Sequence, residues 1–167
     1  KTMQDWIGGY YEHKFSVNPM WAPDFKTFPK HPITNGVKPF KVVDEWYFNM
    51  RFRQDGVGKI TPILAAKPGK DVRDGPYVYP KGPYKHILDA QGRPETTMWA
   101  YERPNGSRGF GFTGGHKHVN WGNDNYRKVV LNGLLWLAKA DIPKNGADSK
   151  VTAEELKQHL DPKGRRK

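Results

Sequence analysis

The chain has 167 residues, 28 Lys and Arg against 17 Asp and Glu, and a formal charge of +11. Its 6 Trp, 8 Tyr and 8 Phe supply apolar area that a disordered chain lacks. With no Cys, disulfides, thiolate nucleophiles, iron–sulfur clusters and cysteine zinc sites are excluded together. No apolar run approaches the roughly 18 residues of a membrane helix.

Residues 4–13 read as a short helix broken at Gly8-Gly9. Residues 14–39 hold five prolines and read as extended chain with turns. Phe40, Val42, Trp46, Phe48, Met50 and Phe52 then fall on one parity, the period of a strand with one buried face. Asp44 breaks that parity, so a bulge or kink is expected at Asp44-Glu45. Ile60–Ala66 is a second strand, and residues 67–94, rich in Gly, Pro and Lys, read as a long loop. A β-hairpin is expected near 98–113, its strands Met98–Glu102 and Arg108–Thr113 joined at Asn105-Gly106. Asn123 and Asp124 can cap a helix running from about Tyr126 to Lys139. Thr152 and Glu155 form a capping box for a last short helix stopped at Asp161-Pro162. The division is residues 1–146 as the main domain and 147–167 as a helical appendage with a basic tail.

Chemistry concentrates at Gly114 to Asp124, where a strand ends and a helix begins. His116 and His118 can serve as base, acid or metal ligand, and alternate residues of an extended segment share a face. With His13 and Glu45 nearby they would make a site for a divalent metal such as zinc or manganese. The alternative is a structural histidine bonded to the glycine-rich turn. Asp44 and Glu45 point to opposite faces of a strand, and Glu45, on the polar parity, is the one expected to face a pocket. Its alternative is an ion pair with Arg51, Arg53 or Arg103. Arg108 either binds an anion or flanks the hairpin. Trp121, beside two histidines, is a candidate platform for a sugar ring; the other tryptophans read as core. His31 to Gly36 reads as a turn before it reads as a ligand site. The positive charge is dispersed apart from residues 163–167, and no nucleic-acid motif appears, so it reads as solvating surface rather than a nucleic-acid interface.

These motifs resemble the ThuA-like (trehalose-utilisation) family of the class I glutamine-amidotransferase-like superfamily. The resemblance covers about residues 4–146. It is carried by Trp6 to His13, His31 to Gly36, Asp44 to Tyr47, Ile60 to Leu64, Met98 to Arg103, Gly106 to Asp124, and Asn132 to Trp136. It implies an α/β fold: a flavodoxin-like three-layer sandwich around a mostly parallel sheet. The family's first βαβ units should precede Trp6, so the chain looks like the C-terminal two-thirds of such a domain. Its sheet edge would then be covered by the missing N-terminal segment, a second chain or another copy in a homo-oligomer. The tryptophan-rich form of the motifs resembles versions from environmental bacteria of the planctomycete kind, implying an exported or periplasmic protein.

By the same resemblance, a sugar or keto-sugar ligand would meet His116, Glu45 and His118 as acid–base or metal-assisting groups. Trp121, Tyr47, Arg108 and Asn123 would bind substrate, and His13, His116 and His118 would hold a metal. The alternative is a non-catalytic carbohydrate- or polyanion-binding module of a larger exported assembly.

Overall fold

The structure, a computed structural model, describes residues 2–160. Helix α1 (Met3–Ile7) starts at a reciprocal Thr2–Asp5 capping box. It ends where Gly8 turns into the left-handed region at φ 77°, as the Gly8-Gly9 break predicts. Six strands of two residues follow: β1 (Gly9–Tyr10), β2 (Met20–Trp21), β3 (Asp24–Phe25), β4 (Phe40–Lys41), β5 (Asp44–Glu45) and β6 (Arg51–Phe52). They pair antiparallel as β1 with β6, β2 with β5 and β3 with β4. A bridge between Val17 and Phe48 lies on the register that joins Met20 to Glu45 and Phe25 to Phe40. Residues 9–25 and 40–52 are thus two arms of one interrupted ribbon.

The strand expected over 40–53 is therefore broken into three pieces. Asp44, Glu45 and Trp46 are buried in succession, because this arm is covered on both faces. Asn49 sits in the left-handed region at φ 53°. Of the five prolines in 14–39, Pro19 and Pro23 flank the two-residue strand β2 and the other three lie between the arms, so none removes a donor from a strand.

β7 (Lys59–Ala66), β8 (Glu95–Glu102) and β9 (Arg108–Phe112) form the largest sheet, antiparallel throughout, with β8 central. The β8–β9 turn closes as its Asn-Gly signal predicts. Arg103 donates its amide to the Ser107 carbonyl, and Gly106 takes φ 75°. The 67–94 segment is not a plain loop. It carries α2 (Lys70–Asp74) and α3 (Lys85–Leu88) and is pinned by Arg73, which is fully buried. Arg73 donates to the Ile87 and Arg93 carbonyls and to Glu95 Oε1 at 2.8 Å.

Helix α4 (Asp124–Leu137) packs on β9. Its buried face joins Tyr126 and Val129 to an aromatic core of Phe25, Phe40, Trp46 and Phe112. Trp46 sits centrally, 5.3 Å from Phe25, 5.4 Å from Phe112 and 5.6 Å from Tyr126, centroid to centroid. These edge-on contacts suit the ring quadrupoles. The Thr152–Glu155 capping box forms, but it opens only one 3₁₀ turn, Glu155–Lys157. Asp161-Pro162 and the basic tail lie outside the described residues.

The protein is mixed α/β, as expected. The mostly parallel sheet implied by the resemblance is not found among the described residues, where every strand pair is antiparallel. The short hairpin and the folded-back ribbon allow only antiparallel neighbours, since a parallel pair needs a crossover between its strands.

Candidate functional site

A cleft of about 500 Å³ opens between α1, the ribbon and β9. Its walls come from local patterns. In β9, Gly109 and Gly111 alternate with Phe110 and Phe112. A Cβ at Gly111 would stand 2.1 Å from the Trp99 indole, so glycine lets that indole lie flat under the strand. Trp99 is buried and donates Nε1–H to the Ile7 carbonyl at 2.6 Å, tying β8 to α1. Phe110, Phe112, Trp99, Tyr11 and Tyr47 give the cleft aromatic walls, with Tyr11 edge-on to Tyr47 at 5.5 Å.

The ionisable pair in this setting is Glu45 and His116. Glu45 Oε2 lies 2.6 Å from His116 Nδ1, and Oε1 accepts from the Asn18 side-chain amide at 2.8 Å. The Glu45 side chain is 5% exposed and that of His116 is 59% exposed. A buried carboxylate thus grips one edge of an accessible imidazole. With Nδ1 donating, Nε2 of the neutral ring carries the lone pair, and it has no hydrogen-bond partner among the described residues. Burial first, and then the negative charge of Glu45, pushes the Tyr47 hydroxyl above its ordinary range, so it stays protonated. Burial likewise pushes Tyr11 up, and Tyr11 donates its hydroxyl to the Tyr79 carbonyl at 3.3 Å.

Asp44 faces the other way. It is fully buried and accepts four hydrogen bonds: from the amides of Glu45, Gly115 and Lys117, and from the Tyr126 hydroxyl at 2.8 Å. Neither carboxylate pairs with the nearby arginines. Arg51 binds Glu12, Arg53 binds Asp5 and Asp55, and Arg103 donates to backbone carbonyls.

Of the candidate residues, the cleft brings together Glu45, Tyr47 and His116. The others are elsewhere, each for a local reason. Asn123 caps α4, its side chain accepting from the Asn125 and Tyr126 amides. Arg108 donates to the Trp136 carbonyl at 2.8 Å and stacks over that indole, where cations suit the C-terminal end of α4. Trp121 packs edge-on against Tyr126 at 5.2 Å, as part of the core margin rather than a platform in the cleft. His118 is turned to the Leu156 carbonyl, and His13 lies against the Tyr79 ring. His13, His116 and His118 therefore do not form one ligand set. No group of three or more His, Asp or Glu that could hold a metal occurs among the described residues. His31 caps a 3₁₀ turn at Pro32–Thr34, in line with its turn reading.

Asn18, Tyr11, Trp99 and the phenylalanines of β9 were not singled out by sequence reasoning as site residues. The aromatics lie within the motif stretches, where an aromatic marks core and cleft alike, and nothing local marks Asn18. A family model described as ThuA, trehalose utilisation, matches residues 2–137. No curated protein and no solved structure matches the chain.

Proposed function

Because the chain belongs to the trehalose-utilisation (ThuA) family, we propose that it acts on a sugar or keto-sugar held in the aromatic cleft, with His116 as the acid–base group. The family ties the protein to carbohydrate utilisation; the chemistry is our reading. The observation that carries it is the pairing of an accessible imidazole with a buried carboxylate against aromatic walls.

Aromatic faces suit the apolar C–H faces of a sugar ring. His116 Nε2 would take a proton from the carbon beside a keto group, leaving an enolate. The imidazolium so formed is stabilised by Glu45, which also fixes which nitrogen carries the first proton. Returning the proton to the former carbonyl carbon, while the hydroxyl proton of the adjacent carbon passes to the enolate oxygen, isomerises the sugar. Expelling a β-hydroxyl, protonated as it leaves, gives elimination with loss of water. The Tyr47 hydroxyl, kept protonated, can donate to a ligand oxygen.

The alternative of a binding module with no turnover draws on the +11 charge. The cleft itself favours a neutral ligand, since its ionisable pair is one acid and one histidine.

The test is NMR-monitored turnover of a panel of sugars and their keto forms by wild type, His116→Gln and Glu45→Gln. Deuterium uptake from solvent beside the carbonyl, lost in His116→Gln, supports the chemistry. Binding in all three proteins with no turnover in any establishes the binding module instead.

A further inference from the structure

We infer that Asp44 is the positioning residue of this site: its buried carboxylate sets the loop that presents His116 to Glu45. The inference rests on reading His116 and Glu45 as the working pair.

His116 sits in an exposed loop, and its own side chain is largely in solvent. Such a loop has no reason of its own to hold an imidazole within 2.6 Å of a buried oxygen. The two amides on either side of His116 supply the reason. Gly115 N–H donates to Asp44 Oδ2 and Lys117 N–H to Oδ1, both at 3.0 Å. One carboxylate therefore clamps the backbone immediately before and immediately after the histidine. The clamp has a fixed base. Tyr126, fully buried at the start of α4, donates to Oδ2, and the Glu45 amide donates to Oδ1.

The geometry also needs the particular order Asp-Glu. Neighbouring residues of an extended segment face opposite ways. Asp44 reaches the loop backbone on one side while Glu45 reaches the His116 ring on the other. The strand is thus a two-sided grip on one histidine. Gly114 completes the close approach, because a Cβ there would stand 2.7 Å from the Tyr126 hydroxyl and 2.9 Å from Trp46. Hydrogen bonds to a charged acceptor are among the stronger ones, which suits a loop that must be held without other packing.

The test uses the full chain, with histidine rings labelled with ¹⁵N and backbone amides read by hydrogen exchange. His116 ring signals are assigned by their loss in His116→Gln. In wild type, the Gly115 and Lys117 amides are expected to exchange roughly 10- to 100-fold more slowly than free loop amides. Asp44→Asn should remove most of that protection and move the His116 ring ¹⁵N signals toward those of Glu45→Gln. Glu95→Gln, which weakens the fold at the buried Arg73 pair and touches neither Asp44 nor the loop, should keep the wild-type ring signals.

Unprotected amides in wild type would overturn the inference, and that measurement needs no variant to fold. So would wild-type ring signals in Asp44→Asn, since a purely structural Asp44 would lower stability without moving them. Failure of the proposed chemistry looks different: His116→Gln and Glu45→Gln would turn over substrate normally while the clamp results stood.

Discussion

Asp44 and Glu45 are adjacent in a two-residue strand, yet one binds the backbone around His116 and the other binds its ring. Both carboxylates are buried, and each is satisfied by hydrogen bonds rather than by an arginine or lysine. In a chain with a surplus of positive charge, this is selective. The site keeps Lys and Arg side chains from its two acids and gives Glu45 a histidine ring as its partner.

Replacing His116 by Gln keeps a polar side chain but removes the titrating nitrogen. Turnover should fall roughly 10²- to 10⁴-fold, the usual contribution of a positioned acid–base group. KM should change much less, because the aromatic walls that contact the sugar are untouched. Steady-state kinetics on the substrate found in the keto-sugar panel checks this.

Acid should weaken the fold through Asp44. Burial alone would push the Asp44 carboxyl up, but the Gly115 amide, the Tyr126 hydroxyl and the Lys117 amide together outweigh it. They hold the group below its ordinary 3.8. A carboxyl depressed in the folded state contributes stability that is fully present above the unfolded value and lost as pH falls through the folded one. Wild type should therefore lose urea resistance below about pH 4, and Asp44→Asn, weaker at neutral pH, should show a flatter acid limb. Urea midpoints between pH 2 and 7 decide it.

Breaking the Arg73–Glu95 pair should be costly. Arg73 is fully buried, and the Glu95 side chain is 5% exposed. Glu95→Gln leaves the Arg73 charge without its counter-ion, at a cost of about 3–5 kcal/mol. Replacing both by apolar residues should recover much of the loss. Chemical denaturation of the single and double variants measures this, and the double variant should retain the Glu45–His116 signature.

Gly111→Ala should deform the cleft floor. Its new methyl would meet three atoms of the Trp99 indole, the nearest at 2.1 Å. Trp99 is held by its bond to the Ile7 carbonyl, so relief requires moving the β8–α1 junction. Overpacking of this kind costs about 1–3 kcal/mol. Sugar binding should weaken with it, as titration of the keto-sugar panel would show.

Local signals in the sequence translated directly into structure where one or two residues settle the geometry. Asn105-Gly106 made its turn, Asn123 made its cap, Gly8 ended α1, and Thr152 with Glu155 made a capping box. The alternation over 40–52 revealed an extended arm but not its interruptions, because those depend on what covers each face. At the site, Glu45 and His116 were recognisable as chemistry, and the break in apolar parity marked Asp44 as unusual. Arg108, His118, Trp121 and Asn123 looked like site residues because they cluster in sequence with His116. In space, each serves α4 or the segment after it.

Turns, caps and family membership can be read from the amino-acid order, since each depends on short-range sterics, hydrogen bonding or motif order. Which aromatics line a cleft and which fill the core, and which carboxylate meets which partner, follow from packing. Those choices depend on contacts between residues far apart in the chain, such as Asp44 with Gly115 and Tyr126, or Trp99 with Ile7. No local pattern encodes such a contact; it exists once the ribbon, the sheet and α4 have packed together.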